Sequence, residues 1–182
     1  IEINTARRSG ELVVVTKGVD FSYERGKTEP IIRDLTTTII RGDRVGVIGP
    51  NGKGKTTLLK LLLDKLSPTN GMIKHGTNVQ YAYFDQLHQE LDPNQRLLDN
   101  IGQGYSSVMV NGRSRHVFAY LADFLFDAEQ AKQKVSTLSG GERNRLQIAK
   151  VFTQPSNVLV LDEPTNHLDM ESCDALLTAI DS

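Results

Sequence analysis

The sequence predicts an α/β fold of the phosphate-loop (P-loop) type, with an antiparallel β-subdomain, a mixed or parallel core sheet and an inserted α-helical subdomain. Three observations carry that reading. Gly49-Pro-Asn-Gly-Lys-Gly-Lys-Thr56 matches G-x-x-x-x-G-K-[ST] and lies between an apolar run and a leucine-rich stretch, the order strand, loop, helix. Val158-Leu-Val-Leu161 is an apolar run ending in Asp162-Glu163, as in a central parallel strand buried on both faces. Many short extended segments precede the first helical one, which suits an antiparallel sheet beside the parallel one.

The totals set bounds on function. A chain of 182 residues suits one domain with a sizeable core, and 38% hydrophobic with 24% charged residues is a globular composition. The net charge of −1 argues against a whole-surface polyanion binder. The single cysteine, Cys173, permits no internal disulfide and has no companion at metal-ligand spacing. No apolar run approaches the roughly 18 residues of a membrane span, and no signal-peptide core opens the chain. The expectation is a cytoplasmic protein without a membrane partner.

Taken in order, residues 1–11 are polar and aperiodic and read as the end of a linker; 12–182 read as a single domain. Leu12–Thr16 and Asp20–Tyr23 predict two short strands, and Glu24–Pro30 a charged turn. Ile31-Ile32 and Leu35–Ile40 resume extended structure, Arg41-Gly-Asp43 turns, and Arg44–Ile48 is the strand expected to feed the glycine-rich loop. Lys55 to about Leu66 predicts a helix with Leu58, Leu59, Leu62, Leu63 and Leu66 on its apolar face, stopped by Ser67-Pro68. Gly71–His75 and Asn78–Phe84 read as a hairpin turning at Gly76-Thr77, with Asp85-Gln86 directly after it. From about 97 to 137 the pattern is mostly helical, with Val117, Tyr120, Leu121, Phe124 and Leu125 on one face and no strand signal. This is the inserted helical subdomain; 12–96 and 138–182 form the core. Leu138-Ser-Gly-Gly-Glu142 opens a helix to about Phe152, Asn157–Leu161 is a strand, and Glu171–Ile180 is helical.

The glycine-rich loop has the composition that phosphate binding requires. Gly49, Gly52 and Gly54 carry no side chain, so backbone N–H groups can turn inward around an anion, with Pro50, Asn51 and Lys53 between them. The helix behind them, with Thr57 in its first turn, adds the positive end of its dipole. Lys55 offers a cation for the β- and γ-phosphates, and the Thr56 hydroxyl a ligand for Mg²⁺. Asp162 stands at the carboxyl end of its strand, where α/β sheets bind ligands and where an acid can hold Mg²⁺ through water. Glu163 is placed to act as general base toward a water; a solvated acid pair is the alternative. Ser139 and Glu142 also read as a plain capping box. Gly140 and Gly141 are costly in a first helical turn, by about 1 kcal/mol each against alanine, and are explained by close approach of a phosphate.

The glycine-rich loop, Leu138-Ser-Gly-Gly-Glu142 and Leu161-Asp-Glu-Pro-Thr-Asn-His-Leu-Asp169, in this order, resemble an ATP-binding cassette (ABC) ATPase domain. The string Glu163–Asp169 is similar to the ABC-F subfamily, the cassettes without membrane domains; Val108–Val117 and Asp123–Phe126 resemble the second cassette of one bacterial member. The resemblance implies ATP as ligand, Mg²⁺ as cofactor and a second cassette as partner. It implies that Tyr23 stacks on adenine, although a lone strand tyrosine is also ordinary core or surface. Gln86 would reach Mg²⁺ and the attacking water, and Ser139, Gly140, Gly141 and Glu142 would cover the γ-phosphate held by the opposite cassette. Asp169 would link the two sites, and His167 belongs to the same loop string. The family's switch histidine is expected about thirty residues beyond Glu163, so the chain reads as a C-terminally truncated cassette whose isolated ATPase is weak. Ribosome or branched DNA is the implied partner of the intact protein. Two alternatives stay open: an ATP-gated nucleic-acid-binding module in which hydrolysis only resets binding, and the energy subunit of a membrane transporter. Arg113, Arg115 and His116, and separately Arg143, Arg145 and Lys150, read as solvated surface or as nucleic-acid contacts.

Overall fold

The first strand is longer than its sequence pattern suggests. In the computed structural model, which describes residues 2–24, 29–84 and 91–163, a single strand β1 runs from Leu12 to Phe21 where two were expected. It stays continuous through Gly18 at φ +55°, and its register slips between Thr16 and Val19. A left-handed glycine absorbs the irregularity without ending the ladder, and that break in alternation is what splits the pattern in sequence. β2 (Ile32–Ile40) likewise merges two expected segments, with Asp34 at φ +45° and its N–H donating to Asp20 Oδ1 at 2.8 Å. β3 (Asn70–His75) pairs antiparallel with the other side of β1, giving the order β2-β1-β3. Val13, Val14, Val19 and Phe21 are buried beneath this sheet, the antiparallel subdomain that was expected.

The expected hairpin of 71–75 with 78–84 does not form. β3 takes β1 as its partner, while Tyr81–Phe84 (β4) pairs with the run 158–161. A Cβ at Gly71 would run into the Gly18 carbonyl, so glycine is what allows β3 to close on β1 there. A Gly-Thr turn signal marks a change of direction but does not name the ladder partner.

Arg44–Ile48 is not a strand. It carries no regular secondary structure, and Ile48 is 97% exposed. A β-branched run becomes a strand only where a neighbour supplies ladder partners, and none does so here among the described residues. Helix α1 (Lys55–Leu62) ends before the expected Leu66. The Asp64 N–H donates to Leu61 O at 3.1 Å and the Lys65 N–H to Lys60 O at 2.8 Å, with Asp64 at φ +58°. That closure ends the helix before proline is reached. Leu61 and Leu63 are its buried leucines, and the expected Leu58, Leu59, Leu62 and Leu66 are half-buried.

Two compact units result: Arg7–Tyr81, just described, and the described parts of Ile1–Ala6 with Ala82–Ser182. The second contains α2 (Leu97–Gly102), β5 (Ser107–Val110), β6 (Arg113–His116), α3 (Val117–Ala122), α4 (Gly140–Phe152) and β7 (Val158–Leu161). β5 and β6 are an antiparallel hairpin inside the stretch expected to be helical. Its turn is Asn111-Gly112, at φ +50° and +73°, the two-residue turn whose backbone twist matches paired strands. Val117, Tyr120, Leu121 and Phe124 are buried as expected, together with Leu97, Leu146 and Phe152. Leu125 sits at φ +62° and is exposed; Phe126 takes its place in the core. β7 is half-buried along its length rather than buried on both faces.

The end of α4 is fully accounted for. Its last four carbonyls, the groups a helix leaves without internal partners, each accept a hydrogen bond. Ala149 O accepts from the Tyr120 hydroxyl at 2.8 Å, and Lys150 O from the Thr153 N–H and hydroxyl. Val151 O accepts from the Gln154 N–H, and Phe152 O from the Asn4 N–H at 3.0 Å. Asn4, 7% exposed, also donates through Nδ2 to Thr153 O (2.8 Å) and Met109 O (3.1 Å) and accepts at Oδ1 from the Asn111 N–H (3.0 Å). The segment read as polar linker thus holds the hairpin turn against the end of α4, through one amide that uses both its donors and its oxygen.

Candidate functional site

In the first unit the glycine-rich loop leads into α1 through Gly54, at φ +89°. A Cβ on Gly54 would lie 2.5 Å from Ile31 Cγ2, so sterics and backbone both require glycine. Among the described residues no side chain caps α1, so its first turn lacks the side-chain acceptor that a Ser, Thr or Asp N-cap would supply. Gly52 is also left-handed, at φ +76°, and Gly49, Pro50, Asn51 and Lys53 are exposed around it. Lys55 folds back over the loop, its Nζ donating to Gly49 O at 2.8 Å and Asn51 Oδ1 at 3.1 Å. A cation and the start of a helix thus meet on one loop, the kind of donor set an oligophosphate needs. Thr56 is half-buried. Thr57 is buried, with Oγ1 3.1 Å from the hydroxyl of Tyr23. Tyr23 packs edge-on to Phe21 at 5.0 Å and is 63% exposed, leaving most of its ring open to a flat partner.

In the second unit Asp162 follows β7, placed by the bond from its N–H to Phe84 O at 3.1 Å. It is 8% exposed, and no ion pair is present at it among the described residues. The Tyr83 hydroxyl donates to Oδ2 at 3.3 Å. A buried carboxylate without a cationic partner is costly, and it suits a site that receives a divalent ion. Glu163 sits at φ +50°, an uncommon backbone for a non-glycine residue and one found at functional sites.

The signature stretch is a complete capping box. The Glu142 N–H donates to Ser139 Oγ, and Glu142 Oε2 accepts from the Ser139 N–H (2.9 Å) and hydroxyl (2.7 Å). Glu142 Oε1 accepts from Gln130 Nε2 at 3.1 Å, a clamp that motif reading misses because Gln130 is remote in sequence. The Ser139 hydroxyl, then its N–H, hold the Glu142 carboxyl below its ordinary value. Gly140 is exposed and a Cβ on it would meet nothing within 4 Å, so nothing in its surroundings demands glycine. Gly141 follows it, half-buried, in the first turn of α4. Gln86, His167 and Asp169, the charged turn around 25–28, Cys173 and the helix expected at 171–180 lie outside the described residues.

Comparison with known proteins gives the family of the chain. The family model described as ABC transporter matches residues 32–166. The chain therefore belongs to the ATP-binding cassette family. It is 48% identical to the ATP-binding protein Uup of Escherichia coli over 100% of its own length and 28% of that protein's. It is also 48% identical to Uup of Haemophilus influenzae, over 97% of the chain and 27% of that protein. The energy-dependent translational throttle protein EttA of Mycobacterium tuberculosis is 37% identical over 99% and 32%. The chain thus spans about a third or less of the length of these relatives, which bear out the ABC-F resemblance. In fold it is similar to a dimeric ATP-binding cassette in a post-hydrolysis state bound to ADP and Pi, with TM-score 0.71 and 23% identity over 92% of this chain and 81% of that one. No helix among the described residues is long and apolar enough to cross a membrane.

Proposed function

We propose that this chain is the nucleotide-binding cassette of an ABC-F type ATPase, one that binds MgATP and hydrolyses it together with a second cassette. The observation that carries the reading is the uncapped start of α1 behind left-handed Gly54, with Lys55 folded over the loop. Loop amides and Lys55 hold the β- and γ-phosphates and stabilise charge that develops during transfer. Thr56, Asp162 and Gln86 are the residues that would hold Mg²⁺. When bound, the ion neutralises phosphate charge. Glu163 orients and deprotonates the attacking water as general base, and Tyr23 stacks on the base. Ser139, Gly140 and Gly141 face nucleotide held by the second cassette, with Glu142 bracing Ser139 from behind, and Asp169 joins the two sites.

Calorimetry of the 182-residue chain tests this directly. Wild type should bind MgATP, and Lys55→Ala should weaken it by about a hundredfold, the loss of a charge-assisted phosphate contact. Equal binding by both proteins, or by neither, refutes the reading. In the intact cytoplasmic protein the partner is a ribosome or branched DNA, which the closed cassettes grip. Glu163→Gln should hold that state, so nucleic acid should co-purify with the variant in MgATP; a variant free of RNA and DNA removes the partner assignment.

A further inference from the structure

The residue that touches Asp162 belongs to no motif. Tyr83 lies on β4, 8% exposed, and its hydroxyl reaches Asp162 Oδ2 at 3.3 Å. The register that brings them together is fixed one residue on, where the Asp162 N–H donates to Phe84 O. Packing alone does not require this hydroxyl, since the ring fills the same space as phenylalanine. A buried phenol needs a hydrogen-bond partner, and here it meets the acid that the proposed function places at the metal. Bonding one oxygen of a carboxylate restricts its rotation and directs the other, which is how groups behind a metal ligand set its orientation.

We infer that Tyr83 is a positioning residue that orients the Asp162 carboxylate toward the Mg²⁺ accompanying the nucleotide, an inference that rests on the proposed function. At 3.3 Å the bond is long for a hydroxyl on a carboxylate. The effect belongs at the low end of what such supporting residues give, about three- to tenfold in metal dependence.

Tyr83→Phe in the full chain tests it, with ATP binding measured by calorimetry over a series of Mg²⁺ concentrations and again with excess chelator. The expected result is a melting temperature and chelator-treated ATP affinity close to wild type, with the Mg²⁺ requirement raised about three- to tenfold. An unchanged Mg²⁺ requirement overturns the inference while leaving ATP binding by the cassette standing. Wild type that shows no Mg²⁺-dependent binding overturns both. Should Tyr83→Phe lower the melting temperature, the same change in an Asp162→Asn background decides. If Tyr83 acts through Asp162, it adds nothing further to the Mg²⁺ requirement there; a full additive effect refutes it.

Discussion

Helices α1 and α4 both begin with glycine at the edge of a candidate phosphate contact, and they are built in opposite ways. α1 has no side-chain cap at its start among the described residues, and closes its far end with backbone bonds around Asp64 and one side-chain bond, His75 Nε2 to Leu62 O at 2.8 Å. α4 is capped at its start by Ser139 and Glu142, and its far end is closed partly by side chains from elsewhere, Tyr120 and Asn4. Orphan N–H groups cost stability unless something satisfies them. Under the proposed function the start of α1 offers them to a ligand, whereas the start of α4 closes its own with Ser139 and Glu142. In α4 nothing around Gly140 is tight, so its surroundings do not require glycine; under the proposed function its role is approach from outside.

The sharpest way to break this contrast is to add the same methyl group to both helices. Gly54→Ala forces a side chain into φ +89° and against Ile31. It should weaken MgATP binding by more than about thirtyfold and destabilise the chain by about 1–3 kcal/mol. Gly140→Ala, at an ordinary helical position in open space, should leave binding of the chain's own nucleotide unchanged and raise stability by up to about 1 kcal/mol. Calorimetry and denaturant melts on the two variants give the comparison. If both lose nucleotide equally, the distinction between an open and a closed helix start is wrong.

The far ends give a smaller effect. Asn4→Ala leaves the Asn111 N–H without its amide acceptor, and Thr153 O and Met109 O without their side-chain donor. About 2 kcal/mol of stability should be lost, with faster amide exchange at Asn111 and Ser156. The end of α1 has one such side chain, His75, whose Nε2 lies 2.8 Å from Leu62 O, so its removal leaves a single carbonyl without its partner. Unchanged exchange at Asn111 would show that the segment is not a strap.

These helices also show where the sequence was legible. The glycine-rich loop, the capping box and the acid pair were readable because each is local, fixed by spacings of a few residues. Pairing was not: β3 and β4 look like a hairpin in sequence, yet ladder partners are chosen by distant edges and by glycines such as Gly71 that permit close approach. The hairpin at Asn111-Gly112 had a recognisable turn signal that the surrounding helical periodicity masked. Asn4, Gln130 and Tyr83 carry no motif at all, since each matters through a partner between 12 and 149 residues away. The strand expected at Arg44–Ile48 failed because composition describes a strand's surface and says nothing of its neighbours.

The smallest effect separates the two helix starts by pH. Glu142 is held below its ordinary value of 4.5, first by the Ser139 hydroxyl, then by the Ser139 N–H. A depressed carboxyl contributes stability that is present above the unfolded value and is lost as pH falls through the folded one. The closed start of α4 should therefore hold at neutral pH and weaken only in acid, while α1, which has no acid in its first turn, should not change with it. Glu142→Gln removes the charge while keeping a carbonyl that can accept from Ser139. Melting temperatures of the two proteins, taken from about pH 6 to about pH 3.5, should differ by a constant amount above the ordinary carboxyl range and converge below it. Backbone exchange over Gly140–Arg143 should follow the same course, and exchange over Lys55–Leu58 should not. A gap between the two proteins that stays the same in acid would mean that Glu142 closes this helix by shape rather than by charge.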